Sequence, residues 1–230
     1  MIILACATEI ECKNALNRVC PEPEIWPATV HHENLDFLVC PVGVGPVAAA
    51  LSIGTLLERF PAARGIVNLG ICGGFDLERT PLGGVCLATA EIWPEYGLHC
   101  ATNDPEAFSH QMFADLPLIP VNRIDLDPDE AARAMGLTLA PEWARGTSLT
   151  VAGVSATPER ATTLRTRFDA ITENMEGFGL ALAARRKGIA FLEVRTVSNP
   201  VGARDKGLWN FRLALRALGD VLPRLAGGSA

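Results

Sequence analysis

The chain has no surplus of basic charge. Its net charge is −6 over 230 residues, and Arg and Lys gather only at Arg185-Arg-Lys187, which suits the basic last turn of a helix closed by Gly188. Such a balance carries no footprint for nucleic acid and no attraction to an anionic membrane. No apolar run reaches the roughly 20 residues that span a bilayer. The apolar start lacks the basic flank and cleavage site of a secretory signal, so a cytoplasmic location is expected. Cys-x-x-Cys pairs are absent. The seven cysteines are odd in number and scattered, and Cys6, Cys40 and Cys86 fall in apolar runs, as reduced buried thiols do. The four histidines, including adjacent His31 and His32, lack metal-ligand spacing, and no metal is expected. Internal repeats and low-complexity blocks are also missing.

What remains is an ordinary globular composition, 49% apolar and 20% charged, at a length that fits one domain with a sizeable core. Apolar, β-branched runs alternate with helical stretches, which indicates α/β layering. Strands are expected near 2–7, 25–30, 35–42, 65–70, 84–89, 148–153 and 189–197. Helices are expected near 9–18, 46–60, 128–136, 157–167, 173–187 and 207–225. Pro46 after Gly45 suits a first helical position, and Thr157-Pro-Glu-Arg reads as N-cap followed by N1 proline. The proline-broken segment 91–127 is the irregular part and reads as a functional cover or a surface excursion. The tail 226–230 is expected to fray.

Three segments bear on chemistry. In Ile171-Thr-Glu-Asn-Met-Glu-Gly-Phe-Gly-Leu-Ala, Glu176 stands before a run of small residues that marks a buried helix. A carboxylate there is expensive unless a ligand or partner satisfies it, although first-turn acids are also favoured by the helix dipole. Gly43-Val-Gly-Pro-Val-Ala48 after a strand imitates a dinucleotide fingerprint. The next strand, however, ends in Gly70-Ile-Cys-Gly-Gly74 where an acid should hold a ribose, so no dinucleotide cofactor is expected. Two strand–glycine turns with free N–H groups favour a shared pocket over mere tight turns.

With Ala5-Cys-Ala-Thr-Glu-Ile-Glu11, Thr157-Pro-Glu-Arg-Ala, Glu173-Asn-Met-Glu-Gly, Ser198-Asn-Pro-Val-Gly-Ala-Arg-Asp and Leu208-Trp-Asn210, these segments resemble the nucleoside phosphorylase and nucleosidase superfamily, and within it most of all the futalosine hydrolases. The motifs run in the family's order from residue 5 to residue 210. The resemblance implies a single three-layer α/β/α sandwich around a twisted mixed sheet. It also implies a homo-oligomer, no cofactor, and hydrolysis of a purine nucleoside, futalosine, in menaquinone biosynthesis. Methylthioadenosine/S-adenosylhomocysteine or aminodeoxyfutalosine cleavage, phosphorolysis, and nucleoside binding without chemistry are the alternatives.

N-ribosidic cleavage passes through an oxocarbenium-like sugar, by analogy with glycosides. It therefore needs a base for water, an anion for the sugar and a donor for the departing purine. By resemblance, Glu11 is the base, with Glu9 the competing carboxylate. Glu176 is the sugar's anion, with Met175 against the ribose. Asn199 stands where adenine-releasing relatives carry Asp; its amide can donate to N7 or O6 but cannot protonate, which favours a 6-oxopurine leaving group. Gly43, Cys72, Gly73, Val154 and Ser155 are expected around the substrate. Trp209 is expected to offer a flat surface (Phe75, Trp93 and Tyr96 are rivals), and Arg204 or Lys206 to meet the benzoate of futalosine. Arg195 either orients the site or pairs at its edge. No cation enters the second glycine run before Arg79, and Arg64 lies at the strand's wrong end, so water rather than phosphate is the expected nucleophile.

Overall fold

In the computed structural model, which describes residues 1–96 and 122–227, the apolar N-terminal run forms β1 (Ile2–Cys6), every residue of it buried. The chain continues α1 (Glu9–Leu16), β2 (Ala28–His32), β3 (Leu35–Pro41), α2 (Pro46–Arg59), β4 (Gly65–Gly74) and β5 (Val85–Ile92). After residue 121 come β6 (Arg123–Asp125), α3 (Pro128–Met135), β7 (Ala144–Thr150), α4 (Pro158–Phe168) and β8 (Ala170–Asn174). They are followed by α5 (Gly177–Lys187), β9 (Ala190–Pro200), a 3₁₀ turn (Lys206–Leu208) and α6 (Phe211–Leu225).

The strands form one mixed sheet in the order β2-β3-β1-β4-β8-β7-β5-β6, with β9 pairing both β4 and β5. Because β9 bridges β4 and β5, strands β4, β8, β7, β5 and β9 close into a ring, from which β1, β3 and β2 extend at β4 and β6 extends at β5. One face packs Ile2, Leu4, Val67 and Leu69 against α1, α3 and α6; the other packs Ile3, Ala5 and Ile66 against α2 and α5. This is the three-layer α/β/α arrangement around a twisted mixed sheet.

Two expected boundaries change. The helix expected from 173 begins instead at Gly177, and residues 170–174 form the strand β8; its Thr172 and Asn174 bond Ser148 on one face while Glu173 bonds Ser155 on the other, so it shows no apolar alternation. The glycine run 70–74 continues β4 instead of turning out of it. Within the irregular segment 91–127, residues 91–92 extend β5 and 123–125 form β6. The cover expected over 97–121, like the tail at 228–230, lies outside the described residues. Among the described residues, no helix is long and apolar enough to cross a membrane.

Helix α5 is buried in its first turn and half-buried after Ala181, not enclosed all round. Its small residues let it approach α2: a Cβ on Gly179 would lie 3.0 Å from Pro46 O and 3.3 Å from Ala50 Cβ. Gly179→Val is therefore expected to overpack this contact, destabilising the fold by about 1–3 kcal/mol in chemical denaturation. An unchanged midpoint would show that the two helices can part freely.

Candidate active site

The first turn of α1 positions Glu11. Thr8 Oγ1 accepts from Glu11 N (3.2 Å), and Glu11 Oε2 accepts from Thr8 N (2.9 Å) and Thr8 Oγ1 (2.8 Å), a reciprocal cap. The other oxygen crosses to β4, where Oε1 accepts from Ile71 N (3.0 Å). That crossing requires Gly70, whose Cβ would sit 2.8 Å from Glu11 Oε1 and 2.6 Å from Arg195 Nη1. Glu9, the other acid of this turn, is exposed.

Glu176 precedes α5. Its N–H donates to Asn174 Oδ1 (2.8 Å), Oε1 accepts from Gly45 N (3.2 Å), and Oε2 meets Arg195 Nη1 (3.2 Å). Gly45 and Gly43 adopt φ of +94° and +90°, the left-handed region that favours glycine. Gly43 N donates to Ala7 O (3.1 Å), so its N–H is committed to the fold and is not offered to a ligand.

Arg195 is 2% exposed and pairs with Glu176 and Glu193. Nε donates to Glu193 Oε1 (2.8 Å) and Nη2 to Asn174 Oδ1 (3.3 Å). Asn68, with its amide turned to satisfy both neighbours, donates to Ala5 O (3.2 Å) and accepts from Arg195 Nη2 (2.7 Å). Burial alone would lower the Arg195 pKa, but Glu193, Glu176 and Glu11 outweigh it and raise the value.

Beneath Arg195 the ring holds a second carboxyl. Glu91, fully buried, accepts from Thr150 Oγ1 (2.5 Å) and Asn174 Nδ2 (2.7 Å). Burial, and then the neighbouring Glu193, push its pKa well above the carboxylate range. Glu193 Oε2, beside it, has no hydrogen-bond partner. Gly177 roofs the pair, since a Cβ there would overlap Glu193 Oε2 and lie 2.5 Å from Glu91 Oε1. Neither Glu91 nor Glu193 stands out in the sequence, where each is a lone acid in an apolar strand. The Glu193, Arg195 alternation was the available signal, because i and i+2 share a face.

These groups back a cavity of ≈ 560 Å³. Glu11, Glu176, Asn199, Cys72, Gly73, Val154, Ser155, Met175 and Trp209 all line it, joined by Glu173, Ile10, Val44 and Phe211. Gly43 and Arg204 do not; Arg204 is exposed beside the lining residue Ala203. Phe75 packs instead against Ile92, Leu149 and Leu164, and Trp93 stacks on Tyr96 (5.2 Å, 15°), so neither forms the cavity wall. Burial raises the Cys72 thiol well above its usual pKa, which leaves it an inert wall. Among the described residues, no Lys or Arg lines the cavity.

A bulge aims Asn199. Between Cys72 and Gly73 the β4–β9 register slips by one, pairing Cys72 with Val197 and Gly73 with Asn199, so Ser198 and Asn199 reach the cavity together. The Ser198 hydroxyl lies within hydrogen-bonding distance of Cys72 O (3.0 Å) and Asn199 Oδ1 (2.7 Å). With its oxygen tied there, Asn199 turns its NH₂ outward; Nδ2 meets Pro200 O at 3.1 Å and keeps a second hydrogen.

A sheet curled in this way, with acids at the ends of its inner strands, defines a class, and residues 2–226 match the Phosphorylase superfamily. A futalosine hydrolase of Streptomyces coelicolor is 34% identical, with 98% of this chain and 94% of that protein covered. One of Thermus thermophilus is 34% identical over 82% of this chain and 80% of that protein. The fold also superposes on the futalosine hydrolase of Helicobacter pylori with a TM-score of 0.72 at 15% identity, covering 97% and 95% of the two chains. The chain belongs to the phosphorylase superfamily and, within it, to the futalosine hydrolase family.

The Glu91 proton has a consequence for stability. Unfolded Glu titrates near ~4.3 and folded Glu91 far higher, so above that pH the folded state binds more protons. This group's contribution must decline as pH rises from ~4.3 toward the folded value. Glu91→Gln, which does not titrate, is expected to flatten the fall of Tm as pH rises above about 4.3. Parallel Tm–pH curves for the two proteins would contradict a neutral Glu91.

Proposed function

We propose that this chain hydrolyses the N-ribosidic bond of futalosine, releasing hypoxanthine and dehypoxanthine futalosine. The reading rests on family membership and on one observation. Glu11, Glu176 and Asn199 converge on a single cavity that no cation lines among the described residues. Glu11 takes the proton of the attacking water. Its oxygens already accept from Thr8 and Ile71, which fixes the carboxylate and leaves a lone pair on Oε1 for that water. Glu176 accepts from the vicinal sugar hydroxyls and stabilises the cationic sugar, held in place by Gly45 N and Arg195. Asn199 donates to N7 or O6 of the departing 6-oxopurine. Arg195, the cation behind the cavity, is engaged by carboxylates and amides, which argues against a phosphate site there.

Trp209 and Phe211 stand edge to face at 5.5 Å and give the far end of the substrate an apolar wall, with exposed Arg204 beside it for the benzoate carboxylate. The reaction is a cytoplasmic step of menaquinone biosynthesis. The enzyme works as a homo-oligomer. Val47 and Leu51 are 77% and 72% exposed one turn apart on α2, near Ile10 and Val44 at the cavity mouth, which is an apolar strip suited to a second copy. Sedimentation velocity should show a dimer or larger; a monomer at micromolar concentration contradicts that part.

Glu11→Gln is expected to fold and to lose roughly 10²–10⁴ in kcat, the usual contribution of a general base. Wild-type turnover of futalosine should proceed in phosphate-free buffer. A rate proportional to phosphate, with a sugar-1-phosphate product, would instead establish a phosphorylase.

A further inference from the structure

Glu173 lines the cavity, is 6% exposed and has no part in the chemistry above. Its place follows from strand register. Gly73 of β4 stands opposite Glu173 of β8 on one side and opposite Asn199 of β9 on the other. Residues in register project to the same face of a sheet, so Glu173 and Asn199 flank the missing side chain of Gly73, two strand spacings of about 4.8 Å apart. A Cβ on Gly73 would meet Asn199 Nδ2 at 3.3 Å and Val201 Cγ2 at 2.8 Å, so the glycine keeps a flat floor between an amide and a carboxyl.

The carboxyl is fixed from behind. Ser155 N donates to Oε1 (2.8 Å) and Ser155 Oγ to Oε2 (2.5 Å), while Arg160 Nε donates to Ser155 Oγ (3.2 Å). These donors define Glu173 as an acceptor, and each oxygen retains a lone pair. Burial raises its pKa, partly offset by the Ser155 bonds, so a further donor from a ligand would be gained at a desolvated anion.

A purine edge offers a donor at N1 in only one of its two common forms. A 6-oxopurine presents acceptors at N7 and O6, then a donor at N1–H. A 6-aminopurine presents a donor at N6 and an acceptor at N1. Asn199 supplies N–H toward N7 and O6, and the group across Gly73 must then match N1. We propose that Glu173 is a specificity-determining residue that accepts N1–H of a 6-oxopurine seated over Gly73. With an adenine in this pose, the N1 lone pair would face the carboxylate. The inference rests on the nucleosidase reading for its ligand and extends it to a residue outside the reaction itself.

The test compares wild type with Glu173→Gln and Glu173→Asp, the second keeping the charge but shortening the reach. kcat/KM is measured for futalosine and its 6-amino analogue, and affinity for hypoxanthine and adenine by calorimetry. Wild type should prefer the oxo form in both assays. Both variants should lower the oxo-to-amino ratio roughly 10- to 100-fold, the worth of one hydrogen bond to a charged group. A general folding defect would depress both substrates alike and leave the ratio unchanged. An unchanged ratio in folded variants, beside a wild type that cleaves futalosine, overturns the role of Glu173 and spares the proposed function. Discrimination of hypoxanthine that is lost in the variants, in a protein that cleaves no nucleoside, sustains Glu173 and overturns the nucleosidase. Equal wild-type affinity for the two bases overturns the inference outright.

Discussion

The buried guanidinium of Arg195 is the interaction on which the site depends. An ion taken this far from water costs several kcal/mol unless its neighbours replace the solvent, and removing one partner of such a pair typically costs about 3–5 kcal/mol. Glu193, Glu176, Asn174 and Asn68 are that replacement. Their approach explains two glycines at once, since Gly70 makes room for Arg195 beside Glu11, and Gly177 for Glu193 beside Glu91. It also explains the raised pKa of Glu91, which disfavours a further negative charge in a region already holding three carboxyl groups. One cation set against Glu11, Glu176 and Glu193 leaves an excess of negative charge, and that excess faces the place where a sugar would become cationic.

Sheet closure makes this possible. Inside the ring formed by β4, β8, β7, β5 and β9, side chains such as Thr150, Asn174 and Glu91 satisfy one another, so the polar residues of inner strands become a scaffold. The bulge in β9 then re-aims Ser198 and Asn199 by one residue, a change of face that regular pairing could not give. The catalytic candidates thus sit on strand ends and helix starts, whose rotamers are fixed by the same network.

Much of this was legible in the residues. The helix openings at Pro46 and Thr157 follow local rules and fall where those rules put them. Glu11, Glu176 and Asn199 stand out as polar groups at the ends of apolar elements, and they share a cavity. What could not be read was whatever depends on pairing between distant strands. β8 carries Thr172, Glu173 and Asn174 in succession and shows no apolar alternation, because both of its faces meet polar partners, Ser148 on one and Ser155 on the other. Glu91 and Glu193 are lone acids until the fold joins them. The Gly43 N–H looked available because sequence does not reveal that Ala7 O takes it. Glu173 was hidden for the same reason, since its meaning comes from Gly73 and Asn199 on neighbouring strands.

The most direct measurement is a crystal structure of the protein with an uncleavable 6-oxopurine nucleoside analogue. The account places the sugar's vicinal hydroxyls on Glu176, an ordered water between Glu11 and the anomeric carbon, and the purine over Gly73. A sugar lodged against Trp209 with the purine on Met175, or a phosphate-sized anion where that water should be, would contradict it.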